Sequence, residues 1–247
     1  LYSTQYSIMS TQMPVGGFAG RSELHSRLLL RDDLPAIKAL RDEVLAALPD
    51  PDCYVRESDE HTFLLQHLGA HGATIGVFHE GGLVAYAMLA LPHPEDPANL
   101  GAVIGLPPRD RMEVAHLTSC MVREGWRGIG LQRALLAARL ALARGYGRNV
   151  CMGMVSLRNH SSRHNMLRSG MHIAWAGDID GLQRQLTLID MRRRPIVATS
   201  DERLIGSDNL SGQQQALAAG YIGVGEQRSL REVHLRFQRR LPGHLPF

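Results

Sequence analysis

The stretch Arg127-Gly128-Ile129-Gly130-Leu131-Gln132 places a cation and two glycines where a strand-like run, Glu113 to Val122, gives way to a helix-like run. A helix N-terminus offers backbone N–H groups with no partner inside the helix, together with about half a positive charge. Glycines ahead of it let an anion reach the main chain without a Cβ in the way. Arg127 adds a charge that pairs with phosphate. The chemistry on offer is the grip of a diphosphate. Two common phosphate motifs fit poorly. A dinucleotide fingerprint wants a third glycine where Arg133 stands, and an acidic residue about 20 positions further on. A Walker loop wants Gly-Lys-Ser/Thr, and this stretch has no lysine.

The turn needs elements to hold it, and the pattern supplies them. His25 to Arg31 predicts a strand. Asp32 or Asp33 can cap a helix to about Ala47, with Leu34, Ile37, Leu40, Val44 and Leu45 at helical spacing. Ser58 to Leu68 predicts a short second helix. Two apolar runs around Gly81-Gly82 predict a hairpin. The prolines and polar residues of 91–110 exclude a regular element, and a loop of that length is commonly functional. Gly130 to Arg144 reads as a helix with Leu131, Leu135, Ala138 and Leu142 on one stripe. Asn149 to Leu157 follows as an apolar strand, Ser161 to Ser169 as a short helix, and His172–Ala176 and Gln185–Met191 as strands. Beyond Arg192 the texture is polar and broken, with a short helix at 213–220 and a last strand at 232–241. No internal repeat stands out. Hairpins mixed with crossover helices predict an α+β fold with a mixed, mostly antiparallel sheet flanked by helices. The organisation expected is a disordered tail over 1–22, one domain over 23–191, and a C-terminal extension over 192–247 packed on that domain.

Composition narrows the partners. With 44% hydrophobic and 21% charged residues among 247, the chain has enough apolar matter for a large core. No apolar run approaches the roughly 20 residues that span a bilayer. Cys53, Cys120 and Cys151 are odd in number and lack CxxC spacing, which argues for a reducing cytoplasm and against disulfides or zinc. A net charge of +3 suits an anionic small ligand without demanding nucleic acid.

The turn and its surroundings resemble the GNAT superfamily of N-acetyltransferases. Its signature, Val-x-Pro-x-aromatic-Arg-Gly-x-Gly-x-Gly/Ala-x-x-Leu-Leu, is met by Val122, Trp126, Arg127, Gly128, Gly130, Leu135 and Leu136. Gln132 stands where a small residue is usual, and Glu124 where proline is usual. A second block, strand then Asn-x-x-Ala/Ser then a helix closing on Gly-Phe, is met by Val155 to Asn159, Ser162 and Gly170-Met171. The resemblance covers about residues 25 to 191. It implies an acyl-CoA-dependent N-acyltransferase, with acetyl-CoA or another acyl-CoA as co-substrate and no metal. It also implies a sheet that splits where the 111–122 strand diverges from the 149–157 strand, with acyl-CoA in the split. The backbone of Met121 and Val122 would hold the pantetheine arm. Arg127 and the N–H groups of Gly128, Ile129, Gly130, Leu131 and Gln132 would hold the diphosphate, and Asn159 would meet the pantetheine or position the thioester region.

An amine acceptor must lose a proton, so a base near neutral pKa is useful. Glu113 and His116, on the strand before the turn, are the candidates; strand parity does not decide between them, because a bulge would exchange the faces. Where the family carries a tyrosine acid this chain has Met166, whose thioether cannot donate a proton. That departure supports an alternative, a GNAT fold that binds acyl-CoA as a sensor or scaffold without turnover. His160 and His164 have metal-ligand spacing without a third ligand and read as a solvated face. His93, Glu95 and Asp96 could meet the acceptor, and Arg192-Arg193-Arg194 an anion, but loop polarity and a solvated turn explain them as well. The partner expected is a small-molecule or protein amine, with no call for nucleic acid or membrane, and a homodimer is compatible with the sequence.

Overall fold

The computed structural model describes residues 23–241, and the tail expected over 1–22 lies outside them. The described elements, in chain order, begin with β1 (Leu24–Leu28), α1 (Leu34–Ala46), α2 (Glu60–Gln66), β2 (Gly72–His79) and β3 (Gly82–Ala90). There follow α3 (Leu100–Val103), α4 (Pro108–Arg111), β4 (Val114–Val122), α5 (Leu131–Gly145), β5 (Val150–Ser156), α6 (His160–Arg168), β6 (His172–Ile179) and β7 (Leu182–Asp190). The last described elements are β8 (Val197–Gly206), α7 (Leu210–Ala218), β9 (Tyr221–Arg228) and β10 (Val233–Arg240). The architecture is the mixed, mostly antiparallel sheet with helices that the pattern predicts. One correction concerns 91–110, where prolines were expected to exclude regular structure. Two single-turn helices form there, because the Asn99 side chain accepts from Gly101 N at 2.9 Å and Pro108 pre-sets the first turn of α4.

The described residues form two compact units. The first gathers those up to Leu48, Arg56–Ala90 and Thr118–Ala141. In it β1 pairs antiparallel with β2, and β2 with β3 through a Glu80-Gly81 turn whose two positive φ angles suit a tight hairpin. β4 lies next to β3. Ile75, Val77, Ala85 and Ala87 are fully covered, as are Ile37 and Leu40 of α1, so this hairpin is the core of the unit.

The second unit gathers Pro49–Val55, Leu91–Leu117 and the described residues from Leu142 on. Here the start of β4 pairs parallel with β5, Val114 to His116 against Val150 to Met152, and the registered pairing stops there. β5 pairs antiparallel with β7, and β7 with β6.

An internal repeat, invisible to the sequence reading, dominates this unit. β5-α6-β6-β7 recurs as β8-α7-β9-β10, fifty residues on, and the strand order β5-β7-β6-β9-β10-β8 reads the same from either end. Asn159 and Asn209 cap the two helices alike, accepting from Ser162 N at 3.0 Å and Gly212 N at 2.9 Å. The side chains of Arg163 and Gln213 both reach back to the preceding turn, donating to Leu157 O at 2.8 Å and Ser207 O at 3.0 Å. Gly170 and Gly220 close the helices with φ of 89° and 84°, values that favour glycine. The stretch 192–209, read as polar and broken, thus contains the ten-residue β8, and Tyr221–Arg228 is a strand as well.

Candidate functional site

The glycine turn belongs to the first unit, and each of its bonds follows from a local residue. Arg123 N donates to Val84 O at 3.0 Å, which ties the end of β4 to β3. Trp126 N and Arg127 N then close a 3-10 turn on Arg123 O and Glu124 O, at 2.9 and 3.0 Å. The Trp126 ring rests against the His79 ring, centroids 4.7 Å apart. Arg127 Nε folds back to Val122 O at 3.1 Å, so the side chain expected to meet phosphate also fastens the turn. Glu124, in the place of a proline, keeps the turn because its carbonyl accepts from Arg127 N.

Gly128 and Gly130 have φ of +79° and +88°, a region that costs an ordinary L-residue roughly 1–2 kcal/mol. A Cβ added at Gly128 would meet nothing within 4 Å, so the space over the turn is open. The first intrahelical bond of α5 runs from Ala134 N to Gly130 O at 3.0 Å. The N–H groups of Leu131, Gln132 and Arg133 precede that bond, at the positive end of a 15-residue helix. Leu131, Leu135 and Leu136 are buried and hold this end in place. Ile129 is exposed and Gln132 half-buried. Met121, at the end of β4, is buried, and Val122 half-buried. The turn thus sets two left-handed glycines directly before the positive end of α5.

Under β4 in the same unit lies a polar network that the sequence reading missed. Arg41 of α1 is fully buried and gives Nε to Glu60 at 2.5 Å, Nη2 to Glu57, and Nη1 to Ser119 Oγ at 3.2 Å and Tyr86 OH at 3.5 Å. His67 Nδ1 lies 2.7 Å from Phe63 O, and its Nε2 lies 3.0 Å from Thr118 Oγ1. Burial lowers the His67 pKa and raises that of Tyr86. An arginine at a buried helical position was the only sequence signal, and it reads equally well as a snorkelling surface residue.

The remaining candidates lie in the second unit. Glu113 accepts from Asn149 Nδ2 at 3.2 Å and pairs with Arg192 at 2.6 Å; both contacts fall on Oε2. His116 is buried, and its Nε2 accepts the Leu100 N–H at 3.0 Å, which commits the basic nitrogen of the neutral ring. The Asn159 side chain caps α6 and donates to Cys53 O at 3.3 Å. Met166 is buried and its sulfur accepts from the Thr187 hydroxyl at 3.2 Å. In the loop after β3, His93 Nδ1 and Asp96 Oδ1 accept backbone N–H groups of Glu95 and Ala98. His160 Nδ1 and His164 Nδ1 lie beside Arg163 and Glu226. Arg192 bonds Asp190 as well as Glu113.

Comparison with known proteins returns to the glycine turn. Residues 37–171 match the model of the acetyltransferase (GNAT) family. An N-acetyltransferase from Staphylococcus aureus Mu50 superposes with a TM-score of 0.53 at 16% identity, over 69% of this chain and 99% of that one. A GNAT-family acetyltransferase from Streptococcus pneumoniae gives 0.51 at 17%, over 68% and 98%. A ribosomal-protein-alanine N-acetyltransferase from Brucella melitensis gives 0.50 at 22%, over 67% and 98%. At such identities the likeness concerns the fold alone. No curated protein matches the chain.

Proposed function

The chain belongs to the acetyltransferase (GNAT) family, and from that premise we propose that it moves an acyl group, acetyl in the first instance, from acyl-CoA to a primary amine. The observation that carries the reading is the turn at 127–131, with two left-handed glycines opening onto a helix N-terminus. The N–H groups from Gly128 to Gln132 bind the diphosphate, Arg127 supplies charge, and the main chain of Met121 and Val122 holds the pantetheine arm. Asn159, its side chain spent on the α6 cap and on Cys53, serves as a positioning residue. The amine nitrogen attacks the thioester carbonyl directly. The C–N bond forms, the C–S bond breaks, the sulfur leaves as thiolate and takes a proton, and the nitrogen gives one up. Main-chain N–H groups polarise the carbonyl. Holding both substrates in one complex removes much of the entropic barrier.

Glu113 and His116 are the proposed proton acceptors. For His116 to act, the Leu100 N–H must be released; Glu113 has a second oxygen and is the better placed of the two chemically. A second reading, an acyl-CoA-binding protein without turnover, is favoured by Met166 alone: a buried thioether bonded to Thr187 offers no proton to a leaving thiolate. Calorimetry with CoA and acetyl-CoA, followed by CoA release against a panel of small and peptide amines, separates the two. Binding with turnover is the expected result. Binding without turnover across the panel selects the second reading, and absence of binding removes both.

A further inference from the structure

The repeat in the second unit has the geometry of a dimer written into one chain. The antiparallel contact between β6 and β9 places Ile173 opposite Gly223. These two residues are fifty apart, so they are equivalents under the repeat, and a local twofold axis passes between them. Each helix also packs on a strand of the other copy, α6 on β9 and α7 on β6. Leu167 and Ile173 of the first copy share one apolar cluster with Ala216, Tyr221, Leu235 and Phe237 of the second. Arg163 and Glu226, 0% and 2% exposed, form an ion pair across the seam at 2.9 Å. Gln185 Nε2 donates to Gln213 Oε1 at 2.6 Å. Self-complementary contact about a twofold is the form that homodimers take.

We infer that residues 197–240 are a built-in partner, a second copy of the half-fold that closes the β6 edge where a second chain would dock, so that the protein is a monomer across this edge. Two physical arguments carry this. First, the seam has diverged so that the copies fit each other and not themselves. A Cβ at Gly223 would fall 2.9 Å from Ile173 Cβ and Cδ1, so Ile173 against a second Ile173 cannot close as this pair does. The Arg163–Glu226 pair likewise has no mirror image, because Gln213 stands at the position equivalent to Arg163. Second, the open edge has changed character. β6 reads His-Ile-Ala-Trp-Ala, an apolar edge prone to pair with other chains, and it is now interior. The edge strand in its place, β8, carries Asp201-Glu202-Arg203, the kind of charge that discourages edge-to-edge association.

The inference does not rest on acyl transfer and is tested without it. A protease site is inserted between Arg193 and Arg194, in the exposed link before β8, and the folded full-length protein is cleaved. Light scattering after size exclusion should give a monomer before cleavage and a 1:1 complex of the two pieces afterwards. Hydrogen exchange of the β6 amides should be unchanged. Pieces that separate under native conditions, or an intact chain that dimerises with β6 at its interface, would overturn the proposal. Gly223→Val wedges the seam and should speed exchange of the β6 amides by roughly tenfold or more and promote self-association. Should that variant not fold, Glu226→Gln gives the milder form of the same readout. Exchange confined to the termini in both variants would count against a seam at this place.

Discussion

Acidification probes the seam through His172. This side chain opens β6, is 4% exposed, and has a buried Nδ1 without a partner among the described residues. With Arg240 it lines a cavity of about 220 Å³ that also touches Leu217, Tyr221 and Ile222. Burial first, and the Arg240 charge second, lower its pKa from 6.5 to about 4. The folded state therefore prefers the neutral ring. That preference contributes in full above the unfolded value of 6.5, and the contribution is lost as pH falls from there to about 4. The whole gap corresponds to about 3 kcal/mol, of which about 2 kcal/mol is gone by pH 5. Urea unfolding of the wild type and of His172→Leu, each at pH 7.5 and pH 5.0, isolates this share. His67 and His160, also lowered by burial, are present in both proteins and cancel in the comparison. The wild type should lose about 2 kcal/mol more than the variant between the two pH values, on the order of 1 M in urea midpoint. Parallel losses in the two proteins would refute the reasoning, since the ring would then not be held neutral by folding.

The cradle and the ion pair give two shorter tests. Gly128→Ala with Gly130→Ala should cost roughly 1–2 kcal/mol per site in backbone strain and, by turning the N–H groups, weaken CoA binding by about tenfold or more, as read by calorimetry. Undiminished CoA affinity in a folded double variant would remove the cradle from the binding site. Glu226→Ala leaves the fully buried Arg163 without its carboxylate and should lower stability by about 3–5 kcal/mol in urea or thermal unfolding, more than an exposed pair such as Arg123–Glu43 would.

The legible part of this protein is its local chemistry. The β2–β3 hairpin follows from two apolar runs around a turn that needs positive φ, and α5 from one leucine stripe behind Gly130. The turn itself was legible because a left-handed glycine is a property of the residue more than of its surroundings. β8 and β9 were missed because a sheet edge and a seam strand need no alternation of apolar residues; their pairing with β10 makes them strands. The repeat was missed because Asn159 and Asn209, Leu167 and Leu217, and Gly170 and Gly220 persist at caps and closures, while the residues facing the seam have changed to fit each other.

The sequence by itself determined the longer helices to within a few residues, the glycine turn ahead of α5, and the family, since all three depend on neighbours along the chain. Only the tertiary structure decided which polar groups are spent. His116 on Leu100, Glu113 on Arg192 and Arg41 on two carboxylates are bonds between residues from 16 to 79 positions apart. It also decided that β9 pairs with β6. A strand's partner is set by the edge it can cover, and that edge exists only once the rest of the sheet has formed.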